Sequence, residues 1–287
     1  MTSPVVAPRS IGAVLDGGMR LWLQSVRPLL VPSILIGLAG LCPYLALRLL
    51  SGSWTYAPGI DNTALATFET TGLACFVLRA WWVLGLYNWY DAKVRGQPMA
   101  IGFALRKAAR LLPQRLRLLL VEVLGALLIA VPIIVVFFAL SSLNPTLVAM
   151  LAPLMLIPYG LVIGGLFVRF GLAHSLIALE AKRAFDALGG SWNLTKNNFW
   201  RIAALLVMLW AFYAILIACM AALVVSYDSL LGKPRTLVQP QVGALLSIFG
   251  AWSDAFFSAA LYSLLCDLKA RRHGDDLVVK VQNLVNA

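Results

Sequence analysis

Residues 118–140 read LLLVEVLGALLIAVPIIVVFFAL and carry one charged side chain, Glu122. A helix of about 20 mostly apolar residues is long enough to cross the hydrocarbon core of a bilayer, which is roughly 30 Å thick. A strand of a membrane barrel would alternate apolar and polar residues over about ten positions, and this stretch does not alternate. The sequence therefore predicts a transmembrane α-helix here.

Other parts of the chain have the same apolar character and length. They lie at 28–50, 64–90, 147–170, 202–227 and 241–265. Of the 287 residues, 61% are hydrophobic and 12% are charged, whereas soluble domains carry about 25% charged residues. So little charge excludes a water-soluble globule. We predict an all-α integral membrane protein with six transmembrane helices, formed by a single domain over the whole chain, 1–287.

The lysines and arginines indicate how the six helices are oriented. Eighteen of the 23 fall on one side of the predicted membrane, whereas the opposite loops hold only Lys233 and Arg235. The remaining three, Arg48, Arg79 and Arg169, lie within or at the ends of spans. Because cytoplasmic loops carry the excess of Lys and Arg, both termini are expected in the cytoplasm. The net charge of +11 then reflects insertion and anionic lipid, and no nucleic-acid partner is expected.

An internal repeat divides the chain into three units. IGAVLDGGMRLWLQSVRPLLV at 11–31 and IGFALRKAARLLPQRLRLLLV at 101–121 are identical at 10 of 21 positions, and a looser copy follows at 184–206. Such self-similarity is typical of a repeated structural unit. Each unit is predicted to be a cytoplasmic segment followed by a helical hairpin. The predicted units are 9–90, 98–170 and 181–268, with a basic C-terminal tail at 269–287.

The cytoplasmic segments place apolar residues at helical spacing with basic residues on the other side, which is typical of an amphipathic helix in the membrane interface. We predict three such interfacial helices. They are either structural feet that set the tilt of the next span or sites that bind anionic lipid headgroups, at about 1 kcal/mol per basic residue. The headgroup candidates are Arg20, Arg27, Arg106, Lys107, Arg110, Arg117, Lys196 and Arg201.

An aromatic belt is also predicted near the cytoplasmic boundary, where tryptophan and tyrosine commonly anchor spanning helices. Its residues are Trp22, Trp81, Trp82, Trp89, Tyr90, Trp192 and Trp200.

Three segments resemble a bacterial multi-pass family. They are PRSIGAVLDGGMRLWLQSVRPLL at 8–30, LIALEAKRAFDALGGSWNLTKNNFWRI at 176–202 and ALYSLLCDLKARRHGDDL at 260–277. The family includes the membrane domain of glycerophosphoryl diester phosphodiesterases and stand-alone relatives of unknown function. The resemblance implies a six-span fold in the bacterial cytoplasmic (inner) membrane and a connection with lipid metabolism. It implies no catalytic residue, because this sequence contains no phosphodiesterase barrel.

Motifs for catalysis or cofactor binding are absent from the sequence, which contains no HExxH, no GxxxxGK[ST], no GxSxG and no acidic metal cluster. The two histidines, His174 and His273, are far apart in the chain. The four cysteines lie in or at the ends of apolar spans without paired spacing, which predicts small core residues rather than a disulfide or a zinc site. We therefore expect no enzyme, no cofactor and no metal.

Charged residues inside a span are costly and often functional. Arg79 and Asp254 fall near the midplane of their spans, and we predict that they pair across spans two and six. Such a pair is either a dry clasp between helices or part of a wet polar site. The intramembrane polar candidates are Arg79, Asp254, Glu122, Arg169, His174 and Glu180.

Span six has a small residue at every fourth position, which forms a ridge that another helix can approach closely. The partner helix is expected in the same bundle, with a second copy or another membrane protein as the alternative. The ridge residues are Gly243, Ser247, Ala251, Ala255, Ala259 and Ser263.

These features favour a non-catalytic, lipid-interacting or accessory component of the cell envelope, whose partners are membrane lipids and above all anionic phospholipids. The alternative is a small-solute or lipid transporter with a midplane polar site. A membrane-embedded enzyme is a second alternative, which the missing motifs disfavour.

Overall fold

A computed structural model of the protein describes residues 10–51, 62–143, 159–230 and 240–273. The first half of the fourth predicted span, the loop with Lys233 and Arg235 and the tail beyond residue 273 lie outside the described residues. Every regular element within these ranges is a helix. In chain order the helices are α1 (Ile11–Leu23), α2 (Val26–Ala39), α3 (Cys42–Ser51), α4 (Asn62–Val94), α5 (Ile101–Leu143), α6 (159–170), α7 (Ala173–Glu180), α8 (Ala184–Thr195), α9 (Phe199–Leu230) and α10 (Pro240–His273).

Several helical stretches are long and apolar enough to cross a membrane. A further span is obtained if α1 and α2, which are bent by 79° at their junction, are counted together. The prediction of an all-helical fold with several helices that could span a membrane is therefore confirmed for the described part of the chain. The unbent candidates are Leu65–Val94, Ile101–Val136, Tyr159–Glu180, Phe199–Cys219 and Ser247–Arg272.

The first predicted span, 28–50, is not one continuous helix, because α2 ends at Ala39 and α3 begins at Cys42. Pro43 has no backbone N–H and cannot donate to the Ala39 carbonyl, its partner in an unbroken helix. The Cys75 thiol of α4 donates to that carbonyl instead, with Sγ 3.0 Å from the oxygen. A side chain from another helix thus satisfies the group that proline leaves open.

Two of the three predicted interfacial segments are separate helices, α1 and α8. The second segment differs, since residues 101–121 are the first half of the continuous 43-residue helix α5. The two copies differ at matching positions: the Ser25 hydroxyl donates to the Leu21 carbonyl at the bend after α1, whereas α5 has Arg115 there.

The chain forms two compact units, Met1–Arg110 with Leu205–Ala287, and Leu111–Ala204. In the first unit, α1, α2 and α4 all pack against α10. Gly18 of α1 lies so close to Ala260 that a Cβ there would be 2.7 Å from its Cα, and Gly37 of α2 meets Ile248 in the same way. Residues later in α1 and α2 therefore contact residues earlier in α10. These helices therefore run antiparallel to α10.

The directions of α4 and α9 follow from their side-chain contacts with α10. Arg79 binds Asp254, and Asp91, farther along α4, accepts a hydrogen bond from Tyr262, so α4 runs parallel to α10. On α9, later residues contact earlier residues of α10, so α9 runs antiparallel to α10. The ring of Trp210 lies 6.2 Å from that of Phe257, and the ring of Tyr213 lies 6.4 Å from that of Phe249.

Part of the predicted aromatic belt is core instead. Trp82 and Tyr90 are completely buried, and Trp89 is 8% exposed. The Trp82 indole and the Tyr90 hydroxyl donate to the carbonyls of Ala251 and Ala255 at 3.4 and 2.9 Å. The small residues of α10 leave room for these rings and give their polar groups partners. By contrast, the belt residues Trp192 and Trp200 are exposed.

Candidate functional site

The Arg79–Asp254 pair joins α4 to α10 within the first unit. Nε of Arg79 lies 2.5 Å from Oδ2 of Asp254, and Nη2 lies 2.8 Å from Oδ1. The guanidinium therefore donates two parallel hydrogen bonds, which fix the orientation of both side chains. Gly250, one turn before Asp254, lets the guanidinium lie against the helix, since a Cβ there would be 3.2 Å from Nη2. The predicted pairing is confirmed.

Protein encloses this pair only in part, since 48% of the Arg79 side chain and 18% of the Asp254 side chain are exposed. On α4, the residues that precede Arg79 on the same face are open: Glu69 and Phe76 are exposed, and a Cβ at Gly72 would meet nothing within 4 Å. Most residues after Arg79 are buried. The open face of α4 thus ends at the ion pair, where Tyr213 of α9 also acts electrostatically on the guanidinium.

The small ridge of α10 packs within the same chain, as predicted. Ala251, Ala255 and Ala259 are buried. Ser247 lies against Gly40, where a Cβ would be 2.9 Å from its Oγ. Gly243 lies outside the residues whose surroundings the structure describes.

Lys93 of α4 holds the bend between α1 and α2. Its Nζ donates to the Gln24 carbonyl at 2.8 Å and to Oγ of Ser25 at 3.1 Å. Carbonyls at the end of a helix lack intrahelical partners, and a cation there also interacts favourably with the helix dipole. The ammonium group lies 4.9 Å from the centre of the Trp89 ring. Sequence reasoning counted Lys93 only as a cytoplasmic charge, because the contact joins residues 69 positions apart.

The second unit brings Glu122 of α5 and His174 of α7 together, with Oε2 3.2 Å from Nε2. Both were intramembrane candidates, but their pairing was not predicted. Arg115, assigned by the sequence to the basic cytoplasmic surface, is buried and acts electrostatically on the imidazole. An adjacent carboxylate and imidazole can share a proton. The candidate Glu180 pairs with Lys182, with 2.7 Å between Oε2 and Nζ.

Arg169 of α6 has aromatic rather than acidic neighbours. Its guanidinium carbon lies 4.6 Å from the ring centre of Trp192 and 5.1 Å from that of Phe199. Its carbonyl accepts a hydrogen bond from Ser191 at 2.7 Å, which ties α6 to α8. Nη1 is buried without a hydrogen-bond partner. Among the described residues, no carboxylate forms an ion pair with Arg169.

The headgroup candidates lie at the protein surface. Phe103 of α5 is 61% exposed beside three of them, while Ala104 and Ala108 of the same helix are buried. The apolar and basic sides predicted for 101–121 are therefore present. Arg201 is partly covered, and the other candidates are exposed. The exposed candidates are Arg20, Arg27, Arg106, Lys107, Arg110, Arg117 and Lys196.

The candidate residues offer charged side chains, which can bind ions of opposite charge. No group of three or more His, Cys, Asp or Glu side chains in the described part of the chain could hold a metal ion. The four cysteines are free, and Cys42 and Cys219 are exposed rather than in the core. Fixed cations without carboxylate partners are suited to binding anions.

Comparisons of the chain with protein-family models, with curated proteins and with solved structures find no match. The resemblance carried by residues 8–30, 176–202 and 260–277 stays a prediction.

Proposed function

We propose that this protein is a non-catalytic membrane protein that binds anionic phospholipid at the cytoplasmic boundary. The observation that carries this proposal is the surface formed by Arg106, Lys107 and Arg110 at the start of α5. All three side chains are exposed, and within the described residues none forms an ion pair. Phe103 is exposed beside them, so the surface combines cations with an aromatic ring that can enter the headgroup region.

The proposal includes six spans with both termini in the cytoplasm of a bacterial inner membrane. The helix directions support it: α2 and α9 run antiparallel to α10, and α4 runs parallel to it. Spans one and five must cross the membrane in the sense opposite to span six, and span two in the same sense. The asymmetric distribution of Lys and Arg supports the orientation. The three-unit plan and the family resemblance belong to the same proposal.

Small-solute or lipid transport is the second candidate function, and one observation favours it. Arg79 is half exposed at the end of an open face of α4, as expected of a polar site that a ligand reaches from one side of the membrane. A dry structural clasp would be covered on all sides.

Replacement of Arg106, Lys107 and Arg110 by Gln tests the lipid proposal. The variant should retain fewer anionic lipid molecules after purification in mild detergent, measured by lipid extraction and mass spectrometry. It should still insert, because the spans are unchanged. The matched control is the double variant Arg106→Lys and Arg110→Lys, which preserves the charge and should retain lipid as the wild type does. Unchanged lipid content in the Gln variant would leave these residues as a structural foot.

A further inference from the structure

The guanidinium of Arg169, in the second unit, lies against two aromatic rings rather than against a carboxylate. It lies at the predicted cytoplasmic end of span four, a depth at which long basic side chains reach the lipid headgroup region. The flat faces of Trp192 and Phe199 attract its guanidinium. Aromatic rings orient a guanidinium but do not neutralise it, and within the described part of the chain no carboxylate does so.

The second unit has an excess of positive charge. Residues 111–204 contain seven Lys and Arg against three Asp and Glu. Glu122 lies against His174 and Glu180 against Lys182, which leaves Asp186 as the remaining carboxylate of this stretch. Asp186 is exposed in the first turn of α8. The carboxylates of residues 111–204 therefore do not account for the charge of Arg169.

The geometry of the side chain favours an anion with several oxygens. One edge of the guanidinium, at Nη1, is buried, while the residue as a whole is only partly covered. A planar guanidinium matches the spacing of two phosphate oxygens. Trp192 is 44% and Trp200 82% exposed, and exposed tryptophans of this kind lie at the depth of lipid headgroups. The headgroup candidates Lys196 and Arg201 flank Phe199 in sequence.

We propose that Arg169, oriented by Trp192 and Phe199, binds the phosphate group of an anionic ligand at the membrane boundary. The phosphate belongs to a phospholipid headgroup or to free phosphate. The inference rests on the proposed function, but it uses other residues than the surface around Arg106. The proposed function and this inference can therefore fail independently of one another.

The test is a titration of the purified full-length protein with short-chain phosphatidylglycerol, short-chain phosphatidylcholine or inorganic phosphate, followed by native mass spectrometry. Arg169→Gln should bind phosphatidylglycerol roughly tenfold more weakly than the wild type, because a charge-assisted donor is lost. Arg169→Lys should bind with intermediate affinity, since lysine keeps the charge but lacks the planar fork. Arg95→Gln is the control, because Arg95 is an exposed cation that already pairs with Asp91.

The separate arms distinguish the source of the phosphate. Displacement of phosphatidylglycerol by millimolar inorganic phosphate would indicate a site for free phosphate, and no displacement would indicate a lipid headgroup site. Equal affinity of the wild type and Arg169→Gln for both ligands would overturn the proposal. If Arg169→Gln does not fold, phosphatidylglycerol with brominated acyl chains is added to the wild type and to Trp192→Phe. Quenching of tryptophan emission should be greater in the wild type, and equal quenching would contradict the site.

Discussion

Removal of either partner of the Arg79–Asp254 pair should destabilise the protein, and the two losses should be unequal. Asp254 is the more enclosed side chain, at 18% exposure against 48% for Arg79. Arg79→Ala removes two hydrogen bonds from a mostly covered carboxylate and should cost about 2–3 kcal/mol. Asp254→Ala leaves a guanidinium that can turn towards the surroundings, and should cost about 1–2 kcal/mol.

The interaction itself is measured by the double-mutant cycle. Exposed ion pairs contribute about 0.2–1 kcal/mol, and polar contacts between transmembrane helices average about 0.6 kcal/mol with a maximum near 1.7. Two parallel hydrogen bonds at partial burial place this pair at the upper end, with a coupling of about 1–1.7 kcal/mol. The assay is equilibrium unfolding of the reconstituted protein by SDS in mixed micelles, with Arg79→Ala, Asp254→Ala and the double variant. Losses that add to within about 0.5 kcal/mol would refute the coupling.

Two further predictions concern orientation and packing. In a background without the native cysteines, single cysteines at positions 53 and 232, which the charge distribution assigns to outer loops, should react with an impermeant thiol reagent in intact cells, whereas one at position 274 should not; labelling at 274 would contradict the orientation. Gly18→Ala should destabilise the protein by about 1–3 kcal/mol, because the new Cβ would lie 2.7 Å from the Ala260 backbone. Gly12→Ala on the same helix is the control, since its Cβ would meet only Oγ of Ser10 at 4.0 Å, and it should be neutral or stabilising by up to about 1 kcal/mol; equal losses in thermal unfolding would exclude close packing of α1 on α10.

The sequence predicted what depends on length, depth and periodicity along a helix. The apolar runs indicated the spanning helices, because about 20 residues are needed to cross a bilayer. Arg79 and Asp254 could be paired because both lie near the middle of their spans, where an unpaired charge is costly. The small residues of α10 recur at every fourth position, and that spacing alone predicted the close approach seen at Ser247.

Features that depend on contacts between distant residues were not predicted. The break after Ala39 needs Cys75 to satisfy a carbonyl, and the bend after α1 needs Lys93 to cap it. Trp82 and Tyr90 were assigned to the membrane boundary, because sequence cannot tell an interfacial ring from one that donates to a carbonyl of a neighbouring helix. The surroundings of Arg169 combine residues from α6, α8 and α9, which no single pattern in the chain brings together.

Preferential binding of anionic lipid is the central claim, and it can be measured on the unmodified protein. The wild type is reconstituted into bilayers with equal amounts of phosphatidylglycerol and phosphatidylcholine of matched acyl chains, then released and examined by native mass spectrometry. The exposed cations of α5 predict that phosphatidylglycerol outnumbers phosphatidylcholine among the retained lipids, and that added salt reduces the excess by screening the charges. Equal retention of the two lipids at low salt would contradict the proposed function.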